Sequence, residues 1–215
     1  MNCKKEDLLL YAVTDRGWLN GRTLYEQIEE ALKGGVTFLQ LREKQLSPRQ
    51  FWEEAVTVKK LCAKYHVPFL INDDVELARQ VDADGVHVGQ KDLDVRQARS
   101  RLGRDKIIGV SARTPEQARL AQAHGADYLG VGAVFHTGTK QDAAPISQER
   151  LKEVCASVTI PAVAIGGITK ENIKELSGSG ISGVAVVSAI FAQPDIEKAA
   201  RALKVQALSV VGMGV

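Results

Sequence analysis

The chain has 215 residues, of which 45% are hydrophobic and 25% charged, and its formal net charge is +2. This length supports one substantial core and is too short for two comfortable domains, so we expect a single domain over residues 1–215. The composition is that of an ordinary globular protein. The small net charge gives no general argument for binding nucleic acid or a membrane surface, so any anion must be bound by a local cluster.

The eight predicted strands are short apolar runs rich in β-branched residues. Polar residues capable of chemistry follow closely behind them. In a barrel of parallel strands the carboxyl ends converge on one rim, where such folds carry their active sites. In chain order the runs cover residues 8–14, 37–41, 69–72, 85–88, 107–111, 128–134, 162–166 and 183–188.

The segments between these runs predict helices. Ser47 and Thr114 each precede a proline, which is typical of a helix cap followed by its first residue. Thr169 and Asp195 are expected to cap the last two helices. The predicted helices cover residues 21–34, 47–65, 75–81, 95–102, 115–124, 147–156, 170–177 and 196–203.

The eightfold alternation of strand and helix predicts an α/β fold with parallel strands and right-handed crossovers. A doubly wound open sheet alternates in the same way. The count of eight and the absence of a Gly-x-Gly-x-x-Gly motif after the first strand favour a single (β/α)8 TIM barrel. The apolar tail, residues 206–215, would suit packing on the barrel or an interface in a homo-oligomer.

Cysteine usage and the N-terminus indicate a cytoplasmic protein. Cys3, Cys62 and Cys155 are far apart and form no Cys-x-x-Cys or Cys–His cluster, so we expect free thiols in a reducing compartment. The first 15 residues lack the apolar core of a signal peptide. No apolar stretch reaches the roughly 18 residues that a membrane-spanning helix needs.

The second strand carries a cluster of cations. Gln40, Arg42 and Lys44 share one parity and so point to the same side, whereas Leu41 faces the helices. Two cations in a lumen are costly unless an anion meets them. An internal salt-bridge network with Glu43 or the rim aspartates is one interpretation, and a site for an anionic ligand is the favoured one.

Acidic residues follow the third and fourth strands. Since neighbouring strands lie roughly 4.8 Å apart, Asp73 and Asp92 can approach one point. Two adjacent carboxylates repel unless a cation or proton lies between them, and oxygen ligands without His or Cys suit Mg²⁺. Alternatively, the Asp73–Asp74 pair caps the next helix, which is the simpler role for Asp74; for Asp73 with Asp92 both interpretations stay open.

Two further strands carry one polar candidate each. His87 lies between two valines and is interpreted as a satisfied core or rim histidine rather than a catalytic base. Ser111 ends the fifth strand, and Thr114 is better placed to cap the following helix. We therefore expect Ser111 to contact a ligand.

The last three strands are followed by candidate phosphate-binding segments. Residues 137–140, Thr-Gly-Thr-Lys, combine hydroxyls, glycine and lysine, although this signal is weak alone. Gly166-Gly167 and Ser188 follow the seventh and eighth strands, the usual phosphate site of such barrels, although two glycines also suit a simple tight turn. The sequence thus predicts a metal-assisted diphosphate site and a metal-free monophosphate site on one rim.

Six short motifs in order carry a family resemblance. They are QLREK at 40–44, NDD at 72–74, DGVHVGQ-D at 84–92, GVS at 109–111, T-TK at 137–140 and IGGI at 165–168. With them the chain resembles the thiamine phosphate synthase (thiamine-phosphate pyrophosphorylase) family from about Leu9 to Ser188. The resemblance implies a transferase of thiamine biosynthesis, which joins 4-amino-5-hydroxymethyl-2-methylpyrimidine diphosphate to hydroxyethylthiazole phosphate and releases pyrophosphate.

The resemblance also implies a role for each motif. The residues implied for the pyrimidine diphosphate are Gln40, Leu41, Arg42, Glu43, Lys44, Asn72, Ser111 and Lys140. Those implied for the thiazole phosphate are Thr137, Gly138, Thr139, Gly167, Val187 and Ser188, and those implied for Mg²⁺ are Asp73 and Asp92. The implied catalytic residues are Arg42, Lys44, Ser111 and Lys140. A dissociative mechanism would need neither a general base nor a covalent nucleophile.

The chain departs from the family pattern at two places without losing a proposed ligand, and two alternative functions stand beside the resemblance. Arg113 stands where the family often has histidine, and residues 132–136 read Gly-Ala-Val-Phe-His where Gly-Pro-Ile-Phe is more usual. A thiazole tautomerase of the same superfamily carries a catalytic histidine where this chain has Ala133, with His136 nearby. A non-catalytic phosphate-ligand-binding barrel would need the site after strands seven and eight but not the acidic pair.

Overall fold

The strands of the protein close into a barrel. A computed structural model describes residues 3–138 and 144–212. Each strand pairs in parallel with its sequence neighbours, and the last pairs with the first. The predicted (β/α)8 barrel is therefore confirmed over the open sheet. The strands are β1 (Leu10–Val13), β2 (Phe38–Leu41), β3 (Phe69–Asn72), β4 (Gly85–Val88), β5 (Ile107–Ala112), β6 (Tyr128–Gly132), β7 (Ala162–Ile165) and β8 (Gly183–Val186).

Helices alternate with these strands and cover the outside of the barrel. No helix within the described residues is both long and apolar enough to span a bilayer. The α-helices are α1 (Leu24–Lys33), α2 (Pro48–Lys64), α3 (Val75–Gln80), α4 (Val95–Leu102), α5 (Pro115–Ala123), α6 (Gln148–Ala156), α7 (Ser188–Phe191) and α8 (Ile196–Val211).

Side-chain caps start several of these helices. Ser47, Asp74, Thr114 and Asp195 each accept a hydrogen bond from a backbone N–H three residues on. Such a bond satisfies a donor that the first helical turn leaves without an intrahelical partner. The predicted caps at Ser47, Thr114 and Asp195, and the capping role of Asp74, are thus confirmed.

The structure corrects the predicted elements near the C-terminus. The predicted helix 170–177 is only a short 3-10 turn, Ile173–Leu176, without a side-chain cap, so Thr169 does not start a helix there. Glycines with positive φ bound this short segment, Gly167 at +68° and Gly178 at +71°. The structure adds α7, which begins at Ser188. Helix α8 continues through most of the tail that begins at residue 206.

The barrel has apolar packing on both sides of its strands. A large cluster fills the space between strands and helices and includes Leu41. A smaller cluster fills the lower lumen, where the rings of Tyr11, Phe38 and Tyr128 pack edge to face with centroids 4.8–5.9 Å apart. Such contacts favour a single ring arrangement. The lumen below the rim is therefore a packed floor and not a channel.

Gly109 makes this floor possible. A Cβ atom at this position of β5 would lie 2.1 Å from the ring of Tyr128, far inside van der Waals contact. The ring can enter the lumen only because strand β5 carries no side chain at that point. The glycine of the GVS motif thus has a packing role.

We expect Gly109→Ala to destabilise the barrel by about 1–3 kcal/mol, because the added methyl group must displace a buried ring. Urea unfolding followed by circular dichroism measures the change. Gly138→Ala is the matched control, since a Cβ there meets no atom of the described residues within 4 Å. Equal stability of the two variants would contradict this account of the lumen.

Candidate active site

A cavity of about 220 Å³ opens at the carboxyl ends of the strands. Its floor includes Tyr11, Val163 and Ala185 and is mostly apolar, while its upper wall is polar. Many residues predicted from different motifs thus share one concave site. The predicted site residues that line it are Gln40, Arg42, Asn72, Ser111, Thr137, Gly167, Val187 and Ser188.

The cations that follow strand β2 are paired with carboxylates. Arg42 lines the cavity, with its Nη1 3.3 Å from Oδ2 of Asp15. Lys44 extends beyond the strand and places Nζ 2.8 Å from Oδ2 of Asp73. Both side chains thus have anionic partners, as the salt-bridge interpretation anticipated. Both are also exposed enough for an anionic ligand to compete with those partners.

The side chains of the other three QLREK residues, Gln40, Leu41 and Glu43, are almost fully excluded from solvent. The Gln40 amide donates a hydrogen bond to the Tyr11 hydroxyl in the lumen. Leu41 packs between barrel and helices, as its parity predicts. The Glu43 side chain is 2% exposed and pairs with Arg16, whose Nε lies 2.8 Å from Oε1. Neither Leu41 nor Glu43 lines the cavity.

Asp73 and Asp92 meet beside the cavity. Asp73 follows β3 with a left-handed φ of +64°, and its N–H donates to the His87 carbonyl at 2.8 Å. Oδ2 of Asp92 accepts from the Gly89 N–H at 2.7 Å. The two carboxyl groups interact, as the proximity of β3 and β4 predicts.

The electrostatics of this pair are asymmetric. Burial raises the pKa of Asp73, but the hydrogen bond from Lys44 and weaker ones outweigh burial and hold that pKa below its usual value. Burial and the neighbouring Asp73 raise the pKa of Asp92, despite the Gly89 N–H. Two carboxyl groups therefore share one lysine, and a further cation would be stabilised here.

The donor set fits a hard divalent cation. Among the described residues no three His, Cys, Asp or Glu side chains group as a metal site. Mg²⁺ does not need such a group, since it commonly binds one or two carboxylates and completes its shell with water and substrate phosphate. Asp73 and Asp92 are suited to that mode of binding.

Ser111 and His87 are linked at the cavity wall. The Ser111 Oγ lies 3.0 Å from Nε2 of His87, and Nδ1 of the same ring lies 2.9 Å from the Tyr128 hydroxyl. The interpretation of His87 as a satisfied histidine is thus confirmed. Sequence reasoning missed Tyr11 and Tyr128 as parts of this site. Their inward parity in β1 and β6 was the available signal.

The turn after β7 approaches the loop after β6 closely. Gly166 and Gly167 have φ values of +101° and +68°. A Cβ at Gly166 would lie 2.5 Å from the Cβ of Ala133, and one at Gly167 would lie 2.3 Å from the His136 carbonyl oxygen. Only glycines permit this approach, so the two glycines form a tight turn and also leave backbone open to the cavity.

The remaining predicted phosphate-binding residues are partly described. Thr137, Val187 and Ser188 line the cavity. Gly138 is the last described residue before the gap, and the predicted site residues Thr139 and Lys140 lie outside the described residues.

Arg113 bridges the two sides of that gap. Its guanidinium lines the cavity and donates to the carbonyl oxygens of Gly132, at 3.1 Å, and Ala144. The arginine therefore joins both ends of the segment that carries Thr137. Sequence reasoning recorded Arg113 only as a departure from the family and missed this contact.

Comparison with known proteins decides the family. A family model described as thiamine monophosphate synthase matches residues 10–190. The chain belongs to the thiamine monophosphate synthase family. It is 50% identical over 200 residues to a thiamine-phosphate synthase of Clostridium botulinum (strain Eklund 17B), covering 93% of this chain and 94% of that protein. Over 198 residues it is 50% identical to one of Alkaliphilus oremlandii, covering 92% and 95%.

A solved structure of this family has the same fold. The thiamine phosphate pyrophosphorylase from Pyrococcus furiosus superposes with a TM-score of 0.89 at 39% identity, over 97% of this chain and 99% of that chain. The predicted resemblance is thus confirmed, and it supports a transferase with thiamine-phosphate synthase activity. The tautomerase alternative is not favoured. Ala133 stands at the position of the tautomerase histidine, and His136 is not among the residues that line the cavity.

The buried Glu43 makes stability depend on pH. Burial, then the neighbouring Glu54, raise the pKa of Glu43 from 4.5 to about 7, although Arg16 opposes this. The folded protein thus keeps a proton up to about pH 7 that the unfolded chain releases near 4.5. The associated stability is present below the unfolded pKa and is lost as pH rises through the folded one.

We expect the free energy of unfolding to fall between pH 5 and pH 8. Glu43→Gln should remove roughly 1–2 kcal/mol of that fall. This is less than the full pKa shift of Glu43 would give, because Arg16 and Glu54 are partly solvated. Urea denaturation at both pH values measures this. Glu53→Gln, at an exposed ion pair with Arg49, should keep the wild-type dependence. An unchanged pH dependence in Glu43→Gln would show that Glu43 is ionised throughout.

Proposed function

We propose that this chain joins 4-amino-5-hydroxymethyl-2-methylpyrimidine diphosphate to hydroxyethylthiazole phosphate at the rim cavity, with pyrophosphate as the leaving group. The observation that carries the proposal is the cluster of Lys44, Asp73 and Asp92 beside a cavity that Arg42 lines. It combines cations for an anionic substrate with carboxylates for its metal ion. The 50% identical relatives named thiamine-phosphate synthase support the same reaction.

The diphosphate would exchange partners with the rim carboxylates. In the structure Arg42 contacts Asp15, and Lys44 contacts Asp73. A bound diphosphate offers both cations a more highly charged acceptor, and Arg42 can hold phosphate oxygens through two parallel N–H donors. We assign Lys140 to the same group from its motif. Asn72, which lines the cavity directly before Asp73, would hold the same substrate.

Mg²⁺ would be held by Asp73 and Asp92. When bound, the ion would supply positive charge that stabilises the departing pyrophosphate. The raised pKa of Asp92 and the single lysine shared by two carboxyl groups support this assignment. Lys44 would then be free to turn from Asp73 to the phosphate.

We propose a dissociative reaction in which the C–O bond to the diphosphate breaks first. The aminopyrimidine stabilises the resulting methylene cation, and the cations of Arg42, Lys44 and Lys140 take up charge on the leaving group. The thiazole nitrogen then attacks the cation from the opposite side. The apolar cavity floor would keep water from the cation, and no general base is required.

The second substrate would be held by its phosphate on the far side of the cavity. Gly167, Val187 and Ser188 would surround that phosphate, because the glycine leaves backbone accessible. Thr137, Gly138 and Thr139 would close over it from the loop after β6. Holding both substrates on one rim makes the attack effectively intramolecular, which supplies a large part of the rate enhancement.

The remaining expectations concern the setting of the enzyme. We propose a cytoplasmic enzyme of a single domain that acts on small molecules. Its three cysteines are free, and Cys3 and Cys62 are buried, which suits a reducing compartment. A homo-oligomer stays a prediction.

We expect Asp73→Asn and Lys44→Ala each to lower pyrophosphate release by at least about 10²-fold, because each removes a charge that acts on the leaving group. Pyrophosphate release is measured with both substrates and Mg²⁺. Calorimetry should show that thiazole phosphate still binds both variants.

Lys59→Ala is the matched control, since Lys59 also pairs with an aspartate, Asp82, but away from the cavity. It should retain wild-type turnover. Normal turnover of both Asp73→Asn and Lys44→Ala would show that the diphosphate assignment is wrong.

A further inference from the structure

A chain of hydrogen bonds crosses the lumen beneath the cavity. It starts at Gln40, whose amide donates to Tyr11, and the Tyr11 and Tyr128 hydroxyls lie 2.8 Å apart. The Tyr128 hydroxyl then lies 2.9 Å from Nδ1 of His87, and Nε2 of His87 lies 3.0 Å from the Ser111 Oγ. The chain thus joins strands β2, β1, β6, β4 and β5. Its two ends are predicted substrate contacts.

The donor at one end sets the direction of every bond. The Gln40 amide nitrogen can only donate, so the Tyr11 oxygen accepts. The Tyr11 side chain is buried. Among the described residues, the Tyr128 oxygen is the acceptor available to the Tyr11 proton. Tyr128 must then donate its own proton to Nδ1 of His87. The imidazole therefore carries its proton on Nε2 and donates it to Ser111.

Both tyrosines are suited to act as permanent donors. Burial raises the pKa of Tyr11 and of Tyr128 above the usual value of a phenol, so neither loses its proton near neutral pH. The ring positions are also constrained. Gly109 makes room for the Tyr128 ring, and a Cβ at Gly130 would lie only 3.0 Å from Cε1 of His87.

We propose that Tyr11, Tyr128 and His87 are positioning residues, which present the Ser111 hydroxyl to the cavity as a hydrogen-bond donor for an acceptor atom of the pyrimidine diphosphate. Since the Ser111 oxygen accepts from His87, its own proton is directed to the ligand. If the hydrogen bonds ran in the reverse direction, Ser111 would donate its proton to His87 and offer the ligand only a lone pair. This inference rests on the proposed function, which assigns Ser111 to that substrate.

Tyr128→Phe tests the chain, because it keeps the ring and removes both hydrogen bonds of the hydroxyl. We expect kcat/KM for the pyrimidine diphosphate to fall about tenfold, the value of one hydrogen bond. KM for the thiazole phosphate should stay unchanged. A general structural defect of the barrel would change this KM as well. Tyr11→Phe removes a more distant member of the chain and leaves Tyr128 able to donate to His87, so its effect should be smaller than that of Tyr128→Phe.

A double-mutant cycle tests whether Tyr128 acts through Ser111. In a Ser111→Ala background, Tyr128→Phe should have no further effect on the pyrimidine diphosphate, because the residue that it positions is absent. Additive losses in the cycle would overturn the inference.

Nitrogen NMR of ¹⁵N-labelled histidine tests the direction without reference to activity. The His87 signals, identified by their loss in His87→Gln, should show a proton on Nε2 and none on Nδ1. In Tyr128→Phe this preference should weaken. A wild-type proton on Nδ1 would overturn the inference even if the enzyme is active.

Failure of the proposed function has a different signature. If the wild-type protein releases no pyrophosphate, the assigned reaction is wrong. Calorimetric binding of the pyrimidine diphosphate to the same variants then decides the inference. Equal affinity of wild type and Tyr128→Phe would overturn it, and about tenfold weaker binding by Tyr128→Phe would support it.

Discussion

Two carboxyl groups that share a single lysine are the constraint on which the site depends. Parallel pairing of β3 with β4 brings Asp73 and Asp92 together, and the loop after β2 supplies Lys44 from the other side. The cluster keeps excess negative charge at a rim that must accept a diphosphate. A divalent cation held by Asp73 and Asp92, as we propose, would resolve this conflict because it would offset the excess negative charge. The proposed leaving-group chemistry follows from that balance of charge.

The lumen and the rim of the barrel have different roles. Packed aromatic rings close the lower lumen, and hydrogen bonds from Tyr128 through His87 connect this floor to Ser111 at the rim. Charged side chains such as Arg42 lie above. A reaction through a cation benefits from such a division, because fixed charges act on the leaving group while apolar walls exclude water. The proposed role of His87, which orients Ser111 through a hydrogen bond, is consistent with this arrangement.

Much of the site follows from two regularities of the sequence. The twofold period of a strand predicts that Gln40 and Arg42 face the cavity, and the common rim of a parallel barrel predicts that Asp73 meets the following strand. Inward parity places Tyr11 and Tyr128 in the lumen, but neither regularity shows that their hydroxyls belong to a hydrogen-bond chain. Because strands of a parallel barrel are apolar on both faces, the sequence pattern does not distinguish Tyr128 from other aromatic residues of the core. The burial of Glu43 depends on Arg16 and on helix α2, which are distant in sequence.

A crystal structure with Mg²⁺ and pyrophosphate tests the central claim most directly. The account predicts one ion bound by both Asp73 and Asp92 and by phosphate oxygens, with Lys44 turned from Asp73 to the pyrophosphate. Lys140 should contact the same pyrophosphate. A pyrophosphate bound elsewhere on the rim, or an ion that touches neither carboxylate, would contradict it.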